Sequence, residues 1–365
     1  MRKDKALDIA HIHVADKHNK GDVAIVLAVQ ELFRERFAGC HIHDFSAVVL
    51  RTGDARSLRK INTADLVVIG GGGLFYSYFL PYNLDFIAGI KKPIVIFGVG
   101  YIREIGAPAL DSRAAETIAA LVSRAALVGV RDYKTKEFLL KQGEASSHIA
   151  VIGDPAVLLR EKKTHLFGLA DGGASGTAKI KSVRAKEHPL RIGFNLNYSG
   201  WLGFGEWRQD ILRAYREVID YFQKQYGPRH GRDVEIYYLK HHPGEDNIYP
   251  ELAVDDLRIV DLPPREQKYV YGQLDLVVGM MLHSGVLAFG AGTPEISVAY
   301  DLRNHSFAEF IGHPELVVDL NQLKTGALLK RVKQIFTKRE KYGLIFKKQK
   351  EMIGRKERNF LAHIQ

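Results

Sequence analysis

The 365-residue chain is long enough for two domains of ordinary size, each with its own core. Its 46% apolar and 26% charged residues are typical of a globular protein and exclude a disordered or fibrous one. The longest near-apolar run, Pro93 to Ile102, is about half the length of a membrane-spanning helix. The first 20 residues lack the apolar stretch of a secretion signal, and a single cysteine cannot form an internal disulfide. We therefore expect a cytoplasmic protein.

The net charge of +10 is concentrated near the C-terminus. Thirteen Lys and Arg but three acidic residues lie in Lys324–Arg358, so the rest of the chain is neutral. Nucleic-acid-binding proteins usually spread basic charge and stacking aromatics over one face, so we expect no nucleic-acid partner. The segment is predicted to form helices that contact an anionic membrane surface, expose a solvated face, or pack back across the domains.

Short β-branched runs alternate with helical patterns through the first half of the chain. The predicted strands are Leu7–Val14, Cys40–Val49, Leu66–Ile69, Ile94–Val99, Ala126–Val130 and His148–Ile152. The predicted helices are Val23–Phe37, Tyr82–Ile90, Ser112–Ser123 and Asp132–Gln142. This alternation indicates βαβ units and a mostly parallel sheet that is covered by helices on both faces.

Residues 161–189 contain glycines and lysines without apolar periodicity, which is typical of a linker or surface insertion. Alternation then resumes in a second α/β unit, with segments at Leu190–Leu196, Ile211–Tyr226, Val234–Tyr238, Leu257–Val260, Leu274–Val278 and Ile296–Ala299. Two amphipathic helices are predicted near Leu323–Phe336 and Leu344–Phe360. The expected organisation is a Rossmann-like domain at 1–160, the linker, a second Rossmann-like domain at 190–320, and basic helices at 321–365.

Ligands of parallel sheets bind beyond the carboxyl ends of the strands, so the loops there are the candidate sites. Asp22 follows the first strand, where it is either the N-cap of the next helix or a candidate base. Gly70–Gly73 follow the third strand and can either form a tight turn or bring backbone N–H groups close to an anion. They do not match the G-x-G-x-x-G dinucleotide fingerprint.

Three later loops carry further candidates. Arg131 ends the fifth strand, where it can bind a carboxylate or phosphate or pair with Asp132, whereas Asp154 is expected in a turn at the domain edge. Asn195–Trp201 combines amides with aromatic rings that suit a sugar, although packing for stability would explain it too. His283 falls in the first turn of a helix, where it either has a structural role or binds an anion, since the helix dipole lowers its pKa and favours negative charge.

Two histidine pairs, His11 with His13 and His41 with His43, each lie on one face of a strand. Both pairs lie within strands, with no carboxylate at ligand spacing beside them. We therefore predict no metal site.

Taken in order, these segments resemble the polysaccharide pyruvyl transferase family. The resemblance extends from Asn19 to Tyr300 and leaves out the linker and the basic tail. Its motifs are Asn19-x-Gly21-Asp22, Gly70–Gly73, Gly98-Val99-Gly100, Val130-Arg131-Asp132 with Lys136-Glu137-Phe138-Leu139, Asp154-Pro155, His242 with Asp246, and Leu282-His283-Ser284 followed by Gly292-Thr293-Pro294 and Tyr300.

The resemblance implies two facing Rossmann-like domains, as in GT-B glycosyltransferases. It implies transfer of the enolpyruvyl group of phosphoenolpyruvate to a sugar of a cell-surface polysaccharide or its lipid-linked precursor, forming a pyruvate ketal without a cofactor. Asp22 would be the base, His283 the acid, and Arg131 the donor-binding cation. With the loops above, Gly71, Gly72, Gly73 and Ser284 are assigned to the donor, and Asn195, Tyr198, Trp201 and His242 to the acceptor.

One position departs from the family pattern. An Arg expected two residues before the histidine is Met281 here, and a lost charge-assisted contact costs on the order of 1.5–3 kcal/mol. Arg303, Lys240 or Arg265 could replace that cation. Otherwise the chain is a GT-B-type glycosyltransferase that uses a nucleotide sugar, or a non-catalytic sugar-binding homologue.

Overall fold

The computed structural model describes residues 6–103, 107–167, 189–197, 204–227 and 233–364. These residues form two lobes, and each lobe is built on a six-stranded parallel sheet. The sheets confirm the α/β fold class that strand–helix alternation predicts.

The N-terminal lobe has the strand order β2-β1-β3-β4-β5-β6. Its strands are β1 (Asp8–His13), β2 (His41–Ser46), β3 (Leu66–Phe75), β4 (Ile94–Tyr101), β5 (Leu127–Val130) and β6 (Ile149–Val151). Its helices are α1 (Lys20–Arg36), α2 (Val48–Thr52), α3 (Ala55–Ile61), α4 (Leu84–Gly89), α5 (Ser112–Arg124) and α6 (Tyr133–Lys141). Every residue of β3 is buried, because helices cover both faces of the central strands.

The C-terminal lobe has the strand order β12-β11-β10-β7-β8-β9. Its strands are β7 (Leu190–Phe194), β8 (Val234–Leu239), β9 (Arg258–Val260), β10 (Leu276–Gly279), β11 (Glu295–Ala299) and β12 (Val317–Asp319). Its helices are α7 (Phe204–Tyr226), α8 (Pro264–Tyr271), α9 (Leu282–Ala291), α10 (Leu302–Phe310), α11 (Ala327–Phe336) and α12 (Arg339–Ala362).

The strand orders fix where a ligand can bind. In the N-terminal sheet the order reverses between β1 and β3, and in the C-terminal sheet it reverses between β7 and β10. The loops after such neighbouring strands separate to opposite sides of the sheet and leave a crevice at their carboxyl ends. The two crevices contribute to one cleft between the lobes.

Two local predictions need correction, and four elements were not predicted. The strand predicted to reach Val49 ends at Ser46, and Val48 begins α2, whose Leu50 is fully buried. The strand predicted to end at Ile69 continues through the glycines to Phe75, with a register shift against β4. Helices α3, α8 and α10 and strand β12 are too short to show a clear period and were not predicted.

The C-terminal helices pack across both lobes. In α11, Phe336 contacts Phe222 of α7, and in α12, Phe360 contacts Phe97 of β4 in the other lobe. Several basic side chains of this segment pair inward with acids, among them Lys350 with Glu161 at 3.8 Å. Packing thus accounts for one face of the segment. Residues 168–188 of the predicted linker lie outside the described residues.

Candidate active site

A cavity of about 540 Å³ lies between the lobes, at the carboxyl ends of the sheets. We call it the cleft. Asp22 and Gly73 line it from the N-terminal lobe, and His283 and Arg303 line it from the C-terminal lobe. A carboxylate, an imidazole and a guanidinium from distant parts of the chain therefore meet around one space.

Asp22 is presented by the first turn of α1, but it is not the N-cap. Asn19 caps the helix, because its side-chain oxygen accepts from the backbone N–H groups of Gly21 and Asp22 at 3.0 and 3.4 Å. The Asp22 carboxylate is thereby left to face the cleft. Burial raises the pKa of Asp22 to about 7, although the nearby charge of Arg303 opposes this shift. Such a carboxyl group can exchange protons near neutral pH.

His283 lies in the first turn of α9, across the cleft from α1. Its ring packs directly against Gly21, where a Cβ atom would lie 2.3 Å from His283 Nδ1. Gly21 is therefore required for this close approach between the lobes. Burial, with the charges of Arg131 and Arg303 adding to it, holds the pKa of His283 well below its ordinary value.

Arg131 does not line the cleft and lies behind His283. Its NH1 is 3.6 Å from Asp154 Oδ2, and His283 Nε2 is 3.9 Å from the same oxygen. Asp154 caps the turn that the sequence predicts, since its Oδ1 accepts from the backbone N–H of Ala156 at 3.0 Å, but it is also fully buried. Within the described residues, Asp154 Oδ2, His283 Nε2 and both terminal nitrogens of Arg131 make no hydrogen bond. Buried polar atoms of this kind are typical of a site rather than of a core.

Arg303 is the guanidinium that reaches the cleft. Its Nε donates to Asp301 at 2.7 Å and its NH2 donates to the Tyr300 hydroxyl at 3.1 Å, which hold it beside Met281. The side chain keeps 18% of its surface exposed. It can therefore still bind an anion while it is held in place.

The other two candidate cations are engaged elsewhere. Lys240 pairs with Asp246 at 2.8 Å, and Arg265 pairs with Glu31 of α1 at 2.5 Å. Neither lines the cleft. Arg303 is thus the candidate that the geometry supports in place of the Arg missing at 281.

The glycine run is part of β3 and not a loop. Gly71 and Gly72 have φ angles of 83° and 123°, which let β3 pass close to α1. A Cβ at Gly71 would lie 3.2 Å from Val26, and one at Gly72 would lie 3.8 Å from an Asp22 oxygen. Of the three glycines assigned to the donor, Gly73 lines the cleft, whereas Gly71 serves packing against α1.

Two predicted binding residues have structural roles. The Ser284 hydroxyl donates to Glu295 at 2.6 Å and lies 2.8 Å from the Tyr271 hydroxyl, fully buried. Asn195 is also fully buried, and its side-chain oxygen accepts from the backbone N–H of Met281 at 3.0 Å. The prediction that these side chains bind donor and acceptor is corrected, since neither lines the cleft.

Of the three remaining residues predicted to bind the acceptor, one lies outside the cleft and two lie outside the described residues. His242 Nδ1 accepts from the backbone N–H of Gly244 at 2.9 Å and caps a short turn outside the cleft. Tyr198 and Trp201 lie outside the described residues. Asn197, an amide of the predicted Asn195–Trp201 loop that was not itself assigned to the acceptor, lines the cleft.

Comparison with known families shows where this chain belongs. Residues 19–301 match polysaccharide pyruvyl transferase. The chain belongs to the polysaccharide pyruvyl transferase family. It is a family of transferases. The matched region includes both Asp22 and His283, and the basic C-terminal helices lie beyond it.

Solved structures show the fold that this pyruvyl transferase family member shares. A UDP-N-acetylglucosamine 2-epimerase from Neisseria meningitidis, bound to UDP-GlcNAc, has a TM-score of 0.58 at 10% identity, covering 98% of this chain and 99% of that one. A putative epimerase from Listeria monocytogenes gives 0.57 at 13%, covering 94% and 91%. A UDP-forming trehalose-phosphate synthase from Burkholderia xenovorans gives 0.54 at 11%, covering 98% of each. The two facing lobes are thus GT-B-like.

The structure also bears on a membrane-spanning segment. Among the helices of the described residues, none combines the length and apolarity needed to traverse a bilayer.

Proposed function

We propose that this protein transfers the enolpyruvyl group of phosphoenolpyruvate to a sugar and closes it as a pyruvate ketal across two hydroxyls. The observation that carries the proposal is the meeting of Asp22, His283 and Arg303 around one cleft. The reaction needs a base for a hydroxyl, an acid for a carbon and a cation for a highly negative donor. Family membership supports the same chemistry.

Arg303 takes the role of the donor-binding cation. A planar guanidinium donates two parallel hydrogen bonds to a carboxylate or phosphate, which Met281 cannot do. Arg303 lies on the same lobe as His283, and both line the cleft. Arg131, which the resemblance assigned to the donor, acts instead on the Asp154–His283 contact and adds positive potential behind the cleft.

His283 supplies the proton after the donor binds. Burial and two guanidinium groups keep it neutral in the free protein, because they lower its pKa. A donor that carries a carboxylate and a phosphate places negative charge beside the ring and reverses this effect, which favours the imidazolium. Donor binding and formation of the acid are thereby coupled.

The proposed steps balance in atoms and protons. His283 protonates the CH2 carbon of the donor, which becomes CH3 and leaves C2 electrophilic. The first sugar hydroxyl bonds to C2 and gives its proton to Asp22, which passes it to the phosphate as the C2–O bond to phosphate breaks. The second hydroxyl closes the ketal and returns its proton to His283. Arg303 and the backbone at Gly73 stabilise the charge that moves to phosphate.

The acceptor is proposed to enter through the aromatic mouth of the cleft. Tyr76, Tyr78 and Asn197 line this part, and Tyr78 is 60% exposed. Aromatic faces and amides suit a sugar ring. The acceptor class remains a sugar of a surface polysaccharide or its lipid-linked precursor.

The exposed face of α12 is proposed to contact an anionic membrane, where lipid-linked sugars are found. Lys341, Leu344, Lys348, Met352 and Arg355 recur every three or four residues and share this face. Leu344 is 69% exposed and Met352 is 48% exposed. Sedimentation with anionic vesicles should pull down the protein, with little binding to neutral vesicles or after Lys348→Glu with Arg355→Glu. Equal sedimentation with both lipids would remove this proposal.

Phosphate release tests the proposed reaction. Phosphoenolpyruvate is incubated with the protein and a panel of sugars and lipid-linked oligosaccharides. Mass spectrometry of the product then detects an added pyruvate ketal. We expect release that depends on an acceptor and on both Asp22 and His283. Stabilisation by UDP-sugars together with no response to phosphoenolpyruvate would instead support a glycosyltransferase.

A further inference from the structure

A cluster of His11, His13 and Asp44 lies beside the cleft, where α1 covers the N-terminal sheet. One ligand atom from each of the three side chains lies within 4.8 Å of the others. His13 Nε2 is 3.1 Å from Asp44 Oδ1, and the two imidazole centroids are 4.7 Å apart. The parallel pairing of β1 and β2 sets His11 opposite Asp44. The carboxylate that local spacing did not reveal is therefore supplied by the neighbouring strand, which corrects the sequence analysis.

Backbone carbonyls determine which nitrogens face the cluster. His11 Nε2 is 3.2 Å from the carbonyl oxygen of Gly70, and His13 Nδ1 is 2.7 Å from that of Val14. Because a carbonyl only accepts, each ring carries its proton on that nitrogen and turns a lone pair toward the cluster. Histidines that bind metals are usually held in this way.

The contact between His13 and Asp44 leaves a place for a cation. With its proton on Nδ1, a neutral His13 presents the Nε2 lone pair to a carboxylate oxygen at 3.1 Å, and these two atoms repel. A cation bound between the two atoms would remove the repulsion. His11 Nδ1 turns toward the same space, where its neighbour is Gln30 Nε2 at 3.5 Å, so a cation there would contact all three side chains.

We propose that His11, His13 and Asp44 bind a zinc ion or a similar divalent metal of the first transition row. Imidazole and carboxylate are common zinc ligands, and a water molecule or Gln30 would complete four-fold coordination. Bonds of about 2.0–2.2 Å place tetrahedral ligand atoms roughly 3.3–3.5 Å apart, so the His13–Asp44 pair is already close to that spacing. His11 needs to approach by no more than about 1.5 Å.

Gln30 of α1 is the neighbour that a bound ion must displace. Its Nε2 donates to Asp44 Oδ1 at 2.7 Å and lies 3.5 Å from His11 Nδ1, while Arg34 donates to its Oε1 at 3.4 Å. Metal binding requires the amide to swing away or to turn its oxygen toward the ion. Asp44, whose side chain is 60% exposed, leaves the cluster open to solvent.

The metal would link the edge strand β2 to β1 just before both strands reach the cleft. Val14 and Ser46, which follow the two strands' ligand residues, line the cleft wall. The site would therefore steady one wall of the cleft. It does not depend on pyruvyl transfer, and zinc binding can be measured without any donor.

Calorimetric titration of the chelator-treated full-length protein with Zn²⁺ tests this proposal. We expect one equivalent to bind at pH 7.5 and to raise the melting temperature. Asp44→Asn should weaken binding at least about tenfold, since it removes a charged ligand from an exposed position where folding is not at risk. Co²⁺ should give the visible absorption of a tetrahedral site in the wild type and lose it in Asp44→Asn.

His43→Asn is the matched control. His43 belongs to the same strand and lies 3.4 Å from an aspartate, Asp8, but has no second imidazole in its contact. Its replacement should leave zinc affinity unchanged. No zinc binding by the wild type, or equal binding by Asp44→Asn, would overturn the proposal.

Discussion

Lys268 and Arg131 are both buried where the two lobes meet, but their surroundings differ. The Lys268 ammonium donates to three backbone carbonyls of the 156–159 turn, at 2.7, 2.8 and 3.3 Å. Arg131 NH1 lies 3.6 Å from Oδ2 of Asp154, the residue that precedes this turn by two positions. Within the described residues, neither terminal nitrogen of Arg131 makes a hydrogen bond. One cation is fully coordinated by the fold, and the other is not.

This difference separates structural charge from functional charge. Buried donors and acceptors are normally paired, because an unpaired one costs about 1–3 kcal/mol. Lys268 meets this requirement and fastens the lobes together. In Arg131, Asp154 and His283, by contrast, at least one buried polar atom makes no hydrogen bond within the described residues. Arg131 and Asp154 lie beside the imidazole whose protonation must change during the proposed reaction. The predictions below test whether the two regions can be disturbed separately.

The largest effect is expected at the two groups that transfer protons. Asp22→Asn and His283→Gln should each slow turnover by about 100-fold or more, because each removes a proton donor or acceptor of the reaction. Steady-state phosphate release measures the loss, and circular dichroism checks the fold. Asp246→Asn, outside the cleft, is the control and should keep its activity. Full activity in either cleft variant would remove that residue from the mechanism.

Lys268→Met should damage stability and leave donor affinity alone. It leaves three buried carbonyls without a donor, so the free energy of unfolding should fall by about 3 kcal/mol or more. Urea denaturation measures the change, and titration with phosphoenolpyruvate at low temperature measures affinity. A large loss of donor affinity in a folded Lys268→Met protein would mean that the two regions act as one.

Gly21→Ala should reduce turnover by about tenfold or more, because its Cβ would displace the His283 ring. Alanine is the better helix former by about 1 kcal/mol, so helix α1 itself should not weaken. Turnover should therefore fall without a matching fall in melting temperature. Unaltered turnover would show that the observed contact with His283 is dispensable.

The pH profile should show the raised pKa of Asp22. A base must be ionised to act, so kcat/KM should fall as the pH drops below about 7. The negative charge of Asp16 raises the pKa of Asp22, so Asp16→Asn should move the acidic limb to lower pH. A limb that is unchanged by Asp16→Asn would assign the titration to another group.

Much of the fold follows from local patterns in the sequence. Apolar runs such as Leu66–Ile69 predict buried parallel strands, and parallel strands bring the loops after them to one edge. The family resemblance adds that the two sheets face each other, which is why Asp22 and His283, 261 positions apart, could be assigned to one site from the sequence. Their meeting depends on sheet topology, which short motifs predict well.

Side-chain directions did not follow from those patterns. Ser284 is adjacent to His283, but the helix turns its hydroxyl toward Glu295 and away from the cleft. Asp154 caps the turn expected of it, but its burial depends on contacts from the other lobe, among them that of His283. Asp44 faces His11 only through the register between β1 and β2. Each depends on distant packing that a single sequence does not display.

Titration of phosphoenolpyruvate into the wild type, Arg303→Met and Met281→Arg proteins tests the central claim most directly. The account predicts that the wild type binds the donor and that Arg303→Met weakens binding by about 10- to 100-fold, the effect of losing a charge-assisted contact. Met281→Arg in the Arg303→Met background should recover part of the affinity. Two results would contradict the assignment of Arg303 as the donor-binding cation. One is unchanged phosphoenolpyruvate binding by Arg303→Met, and the other is binding by the Met281→Arg protein when the wild type binds none.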